Sequence, residues 1–368
     1  MSKKTIAVLI IAAGYSSRMH DFKPLLPFGD RTAIERLVQT YQSHGIEHIY
    51  VVTGYRQEDI IATLKSDSIH VVHNEDYDKG MFSSIQKGIS AMDKNIEAFY
   101  MQPVDLPLIK VQSLERLYEA YKREQKGVIY PVFFGRKGHP PLINMKYKEQ
   151  ICLSDGEGGL KRVLESFSAD ALYVDVYDKA VLMDMDTKED YYNLLAYEAM
   201  HAPTKEECLA IMMQNKVPHR VIKHCEAVEK IAYEFYTWVA SFGLNIDIYA
   251  LSAAALLHDI VREEKDHATV GAHKIREMGY ASIGAIIETH MDIVVDETKP
   301  LNANELLYLA DKVVGEESVC GLEKRFEKTL KKCEGNEEAL KYIHKRLTSA
   351  RCIIRKIETI TCKAFPYG

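Results

Sequence analysis

Short, almost wholly apolar runs recur along the first half of the chain: TIAVLII, IEHIYVV, IHVVH, IEAFYM and GVIYPVF, each closed by Gly, Pro, Asn or Asp. Runs of this length predict strands, and their unbroken apolarity predicts a sheet covered on both faces. Between them apolar residues recur at helical spacing. Thr32 and Glu35 predict a capping box that opens a helix with Ile34, Leu37, Val38 and Tyr41 on one face. Positions 56–64, 82–92 and 111–123 repeat the pattern. Such alternation predicts a three-layer α/β domain with a mostly parallel sheet, whose ligands bind beyond the carboxyl ends of the strands.

After His201-Ala-Pro-Thr204 the strand-like runs stop. Helical periodicity then predicts helices over 205–215, 220–242, 248–258, 268–278, 282–290, 304–315 and 337–361. The expected boundary lies near 200, giving an α/β domain over 1–200 and an all-helical domain over 201–368. Eight of the 14 histidines fall in the last 168 residues. Residues 323–332 and 337–360 read as a charged helical tail that packs on the helical domain and carries no assigned chemistry.

At 368 residues with 47% hydrophobic and 27% charged positions, both halves have the apolar content for a core. The net charge of −6 and the lack of a long basic block argue against a nucleic-acid partner. IAVLIIAA, the longest uncharged apolar stretch, is too short for a membrane span or a signal peptide. Seven cysteines without a CxxC pair fit reduced thiols. A soluble cytoplasmic protein is expected.

Two constellations carry candidate chemistry. The first opens directly after the first strand. Ala12, Ala13 and Gly14 are small enough for backbone N–H groups to approach an anion, while Ser16, Ser17, Arg18 and Lys23 add donors and two positive charges suited to a triphosphate. The alternative is an ordinary strand-to-helix turn with exposed basic residues. Neither a G-K-[ST] phosphate loop nor a G-x-G-x-x-G motif occurs in the chain. Downstream, Asp105 follows the IEAFYM strand. Asp184 and Asp186 would stand at another strand end, both facing one side of an extended chain. Hard carboxylate oxygens from two strand ends suit Mg²⁺; for Asp186 the competing reading is the N-cap of the next helix.

These segments together resemble the MobA-like nucleotidyltransferases, particularly the molybdenum-cofactor cytidylyltransferases, over about Lys4 to Ala199. The resemblance rests on IAAGYSSRM with Lys23, NEDYDKGMFSSIQKGI, the Asp105 turn, GRKGHPPLI, SDGEGGLKRVL and DMDTKEDY, in that order. It implies a fold of the nucleotide-diphospho-sugar transferase type and an Mg²⁺-dependent transfer of CMP from CTP to molybdopterin. The acceptor phosphate would attack the α-phosphorus and release pyrophosphate. On the same resemblance, the Ala12–Lys23 loop binds the triphosphate, with Arg18 and Lys23 neutralising it, and Asp105 with Asp184 or Asp186 holds Mg²⁺. Gly80, Met81 and Ser84 lie near base and acceptor, and Gly138-His139-Pro140 near the acceptor phosphate. Guanine-using relatives carry Gly at the position of Ala13, so the Ala favours CTP. His20 stands where the family usually has Gly. Molybdenum hydroxylases are the implied clients.

The second constellation lies on the predicted helices: His224, His258-Asp259, His267, His290 and Asp311. Imidazole nitrogens with carboxylates suit Mn, Fe, Co, Ni or Zn. A lone His or Asp on a helix is more often a boundary or solvated residue, but His258-Asp259 follows five apolar residues and needs partners. The order His … His-Asp … Asp, with AALLHDIVRE, HATVGAHKI and ELLYLADKVV, resembles the HD-domain metal-dependent phosphohydrolases over about Thr204 to Glu317. That resemblance implies His224, His258, Asp259 and Asp311 as metal ligands. His267 and His290 would serve a second metal or the substrate phosphate, and Arg262 would contact phosphate. Two other readings remain: a sugar phosphate or other phosphorylated metabolite as acceptor, and a helical half that senses a nucleotide without turnover.

Overall fold

Ile6–Ile11 forms β1, with every side chain buried. The computed structural model describes residues 3–16, 19, 21–64 and 69–368, and the chain divides into two compact units, Met1–Ala199 and Met200–Gly368. In the first unit β1 is followed by a short ribbon, β2 (Pro27–Phe28) and β3 (Arg31–Thr32). Then come β4 (His48–Thr53), β5 (Ile69–His73), β6 (Ala98–Pro103), β7 (Val128–Phe133), β8 (Arg136–Lys137), β9 (Leu142–Asn144) and β10 (Ala171–Asp175). Apart from the ribbon they form one sheet in the order β10-β7-β9-β6-β1-β4-β5, with β8 paired to β7. β6, β1, β4 and β5 run parallel, as do β7 and β10. The sheet is mixed, because β9 is antiparallel to β6 and β7, and β8 to β7.

The helices cover both faces. α1 (Ala33–Ser43) has the capping box of Thr32 and Glu35 and buries Ile34, Leu37, Val38 and Tyr41. α2 (Gln57–Thr63), α3 (Met81–Ala91) and α4 (Val111–Glu124) follow; α5 (Lys148–Leu153) and α6 (Gly159–Glu165) were not among the expected helices, whereas α7 (Lys188–Ala199) is the helix expected after Asp186. Ala7, Leu9 and Ile11 pack with Phe82, Ile85 and Ile89 of α3. A Cβ on Gly88 would come within 2.3 Å of Leu9, so α3 lies pressed on β1 and its N-terminus is held beside the carboxyl end of that strand. On the other face the Tyr41 hydroxyl donates to Gln102 Oε1 at 2.9 Å, and the Tyr100 hydroxyl donates to the Leu114 carbonyl of α4 at 2.9 Å.

Beside Tyr100, His44 makes this unit acid-sensitive. Its Nε2 lies 3.1 Å from the Tyr100 oxygen, whose proton is already donated to Leu114, so Nε2 carries the hydrogen. Nδ1 is then the acceptor from the Lys3 ammonium at 3.4 Å, with the Glu115 carboxylate that pairs with Lys3 also close, at 3.3 Å. Burial first, and Lys3 second, lower its pKa to about 3. The unfolded chain takes up this proton below about pH 6.5 and the folded chain does not, so stability is lost as pH falls from 6.5 towards 3. The expected contribution is up to about 1.4 kcal/mol per pH unit. Urea denaturation of wild type and His44→Gln at pH 7 and pH 5 should show the wild type losing more; parallel losses would refute this account.

The second unit contains α8 (Lys205–Gln214), α9 (His219–Val239), α10 (Ile248–Leu257), α11 (His267–Glu277), α12 (Ala281–Ile287), α13 (Ala303–Val313), α14 (Leu322–Lys332) and α15 (Glu337–Thr361). In α10 Ala250, Leu251 and every residue from Ala253 to Leu257 are buried, which makes it the central helix. The expected helix over 282–290 ends at Ile287, so its last three residues turn instead of continuing. α15 folds back on α13, where the Lys356 ammonium meets both Glu305 oxygens at 2.7 and 2.8 Å with both side chains buried. Among the described residues no helix is long and apolar enough to cross a membrane. All seven cysteines are free thiols.

Candidate functional site

In the first unit, side chains converge beyond the carboxyl ends of β1 and β6. The Lys23 ammonium lies 2.7 Å from Asp186 Oδ1 and 3.9 Å from Asp105 Oδ2. These three residues come from a loop after β1, a turn after β6 and the segment before α7. The Asp105 carbonyl accepts from the Met185 amide at 2.9 Å, which ties the last two segments together. Asp184 to Asp186 do not end a strand, contrary to expectation. They follow a 3-10 turn, Lys179–Leu182, as extended backbone. Side-chain alternation persists: Met185 is buried, Asp184 is exposed and Asp186 half-buried. Asp186 is not the helix cap either. Thr187 accepts from the Asp190 amide, and the Asp190 carboxylate accepts from the Thr187 amide, so Thr187 caps α7 and leaves Asp186 to Lys23.

Asp105 is short of positive charge. Burial raises its pKa most; Lys23 works against this, and Asp186 and Asp184 add to it. Its Oδ1 is buried with no hydrogen-bond partner among the described residues. A carboxylate so placed, with a second one sharing the Lys23 ammonium, fits a divalent ion with hard oxygen ligands such as Mg²⁺.

The pair opens into a cavity of about 550 Å³. Its walls include Ala12, Gly14, Ser16, Gly80, Met81 and Ser84, and a side chain on Gly14 would meet no atom within 4 Å. Ala13 does not line it. It is buried beneath the loop, with its carbonyl accepting from the Tyr55 amide. The Ala12 amide donates to Val52 at 2.9 Å, so of the two alanine amides this one is committed to the sheet and not free for an anion. The Ser16 hydroxyl accepts from the Lys23 amide at 3.1 Å and so braces the lysine. Ser17, Arg18 and His20 lie outside the described residues. Tyr15, Tyr77 and Asp78, which also line the cavity, escaped sequence reasoning. Tyr15 stands against Tyr55 and Tyr77, with ring centroids 5.3 and 5.2 Å away. An aromatic residue directly after Gly14 was the available signal.

Met81 also lines a second, largely apolar cavity of about 290 Å³, with Phe82, Met101, Tyr130, Gly138 and His139. A Cβ on Gly138 would lie 2.5 Å from the Val181 carbonyl, so only glycine lets the backbone just after β8 lie there. Burial, then Lys137, lowers the His139 pKa, and its Nδ1 has no partner among the described residues. Pro140, by contrast, is absent from that lining.

In the second unit His224, His258, Asp259, His290 and Asp311 are all buried and gather at one place. His258-Asp259 immediately follows α10, His224 comes from α9, Asp311 from α13, and His290 from the turn after α12. His224, His258 and His290 each direct Nδ1 at a backbone carbonyl, of Glu316, Ala255 and Ile287, at 3.1, 2.8 and 2.7 Å. A carbonyl only accepts, so Nδ1 carries the hydrogen in each ring and Nε2 is left to face the carboxylates. His224 Nε2 lies 3.1 Å from Asp311 Oδ1. His258 Nε2 lies 3.4 Å from Asp259 and 3.8 Å from Asp311, with no hydrogen-bond partner among the described residues. Nitrogen lone pairs aimed at carboxylates require a cation between them, a proton or a metal ion. The donor set fits a borderline transition metal.

The charges reflect this. Burial opposes a charge on His258, yet Asp259 raises its pKa well above the usual value. Burial would raise Asp311, but Lys312 and the His224 hydrogen bond hold it well below the usual carboxylate range. His267 Nε2 lies 3.4 Å from Asp259 and 3.3 Å from His290 Nε2; burial lowers the pKa of both histidines. Arg262 pairs with Asp259 at 2.6 Å, so among the expected residues of this half none stands apart. Sequence reasoning missed the tail's part: Arg325, Phe326, Ile343 and Arg346 line the adjoining cavity.

Comparison with known proteins gives two family matches, MobA-like NTP transferase domain over residues 8–172 and HD domain over residues 221–315. The molybdenum cofactor cytidylyltransferase of Escherichia coli (strain K12) is 25% identical over 187 residues, 50% of this chain and 93% of that protein. The nicotine blue oxidoreductase of Paenarthrobacter nicotinovorans is 26% identical over 198 residues, 51% of this chain and 95% of that protein. Among solved structures, a nucleotidyl transferase from Methanothermobacter thermautotroptrophicus covers 53% of this chain and 98% of its own, at 21% identity and a TM-score of 0.47.

Proposed function

Because the chain is built of a MobA-like NTP transferase domain and an HD domain, we propose a two-site enzyme. The first site transfers CMP from CTP to a molybdopterin-type acceptor and releases pyrophosphate; the second is a metal-dependent phosphohydrolase. The observation that carries the transferase reading is the pair Asp105 and Asp186 on one Lys23 ammonium, with a buried, unpartnered Asp105 oxygen at the cavity wall.

Lys23 and the two carboxylates would take the triphosphate end of the nucleotide, and Mg²⁺ held by the carboxylates would offset phosphate charge. The acceptor would occupy the neighbouring cavity. Its Phe82, Met101 and Tyr130 walls suit a flat heterocyclic ring better than a sugar. Met81, on the wall between the two cavities, would bring an acceptor phosphate oxygen towards the α-phosphorus. That oxygen forms the new P–O bond as the α–β bridge breaks and pyrophosphate leaves. A phosphate nucleophile is already ionised at neutral pH, so positioning and charge neutralisation supply the catalysis. In the second unit a divalent ion on His224, His258, Asp259 and Asp311 would activate water, while Arg262 and His267 would meet the phosphate.

Two relatives of nearly equal identity bear different activities, so the acceptor must be tested directly. Pyrophosphate release from CTP, GTP, ATP and UTP with Mg²⁺ should be fastest with CTP and should require molybdopterin. Release triggered by a sugar phosphate, and not by molybdopterin, would refute the acceptor.

A further inference from the structure

The cavity beside the His–Asp cluster holds about 210 Å³ and carries four cations on its walls. Three are already engaged. Arg262 holds Asp259 at 2.6 Å, Lys312 holds Asp311 at 2.6 Å, and Arg346 makes a two-pronged pair with Asp292 at 2.9 and 2.7 Å. The fourth is Arg325, on α14. Its guanidinium has no carboxylate partner among the described residues and is half-buried in the wall. Arg325 and Arg346 both lie beyond residue 315, where the HD-domain match ends. The folded-back tail therefore adds to this site something that the match itself does not contain.

We propose that Arg325 forms a subsite for the second phosphoryl group of a diphosphate, so that the substrate class of this site is a phosphoanhydride. The proposal rests on the phosphohydrolase reading of the second unit. One phosphoryl group is met by the cluster around Asp259 and Asp311, together with Arg262. A phosphomonoester brings no further charge, whereas an unpaired guanidinium across a small cavity calls for another anion and offers it a planar pair of donors. The volume is below the roughly 300–1,000 Å³ typical of pockets that enclose drug-sized organic molecules, so a small anion is enclosed and any nucleoside would project outwards. Hydrolysis balances simply. The water oxygen bonds to the phosphorus held at the cluster, and the bond from that phosphorus to the bridging oxygen breaks. The leaving phosphate keeps the electron pair against Arg325, and the water proton passes to it or to solvent. The diphosphate has two sources with this same chemistry: free pyrophosphate, which the transfer proposed for the first unit releases, or a nucleoside diphosphate.

The test uses the full chain with Mn²⁺ and measures phosphate release from pyrophosphate, cytidine diphosphate and p-nitrophenyl phosphate. Arg325→Ala should raise KM for the diphosphates at least about tenfold more than KM for the monoester, with Arg325→Lys in between, as expected for loss of one charge-assisted contact. Equal changes for all three substrates, or none, would overturn the subsite. A higher wild-type kcat/KM for pyrophosphate than for cytidine diphosphate identifies the free anion, and the reverse order identifies the nucleotide. If the wild type hydrolyses nothing, the phosphohydrolase reading fails. Calorimetric binding of pyrophosphate to the Mn²⁺-loaded chain then decides the subsite alone: weaker binding to Arg325→Ala supports it, and equal or absent binding to both proteins overturns it.

Discussion

Asp105→Asn is expected to reduce pyrophosphate release by about a thousandfold or more and to leave phosphate release at the second site within about twofold. The change is isosteric, removes one of two carboxylates facing Lys23, and takes from a bound divalent ion a contribution worth several kcal/mol. Stability provides the control. The raised pKa of Asp105 means that its charged form is disfavoured in the folded state, so a neutral amide should keep or raise the melting temperature. Lost transfer with an unchanged or higher Tm locates the effect in the site. Loss of both activities would contradict two separate sites, and a lowered Tm would contradict the electrostatic account of this residue. Asp186→Asn should behave likewise in transfer, because Asp186 holds Lys23 more closely than Asp105 does.

The second large effect is expected from Asp259→Ala. One Asp259 oxygen lies near His267 and His290, and the other near His258 and Arg262. With His224 Nε2 at 3.9 Å as well, its removal takes out the carboxylate that five side chains share. Metal content of the purified full-length variant, measured by elemental analysis, should fall to background, with metal affinity at least about 100-fold weaker. Hydrolysis should disappear while CTP-dependent transfer persists. A variant that retains stoichiometric metal would show that the ion sits elsewhere.

What the sequence disclosed follows from where each element lies. β1, β6 and β7 are buried along their whole length, so their unbroken apolar runs announced a covered sheet. β10 has only β7 as a neighbour and leaves Tyr173 exposed; its mixed pattern carried little signal. β9, three residues long, is too short to display a period. The capping box at Thr32 and Glu35 was legible because its partners are three residues apart, and the apolar helix before His258-Asp259 was legible because polar residues so placed need partners. Other features depend on tertiary proximity. Nothing local reveals that Lys23 reaches Asp186, 163 positions away, or that Thr187 would take the cap. The tail read as a charged helix that packs on the helical domain without chemistry, because LEKRFEKTLKK is charged at most positions and shows no motif. That Arg325, Phe326 and Thr329 share one side follows from helical spacing, but which side meets the cavity depends on α15 and its anchor on α13.

That anchor governs how the second unit can be dissected. A fragment trimmed to residues 221–315, the span of the HD match, would discard Lys356, the only ammonium bonded to the buried Glu305 among the described residues, together with the helix that covers that face of α13. Losing that pair and uncovering the apolar residues α15 packs against both weigh against a domain whose whole stability margin is about 5–15 kcal/mol. Such a truncated piece would be a poor vehicle for enzymology, and inactivity in it would say little about the intact polypeptide.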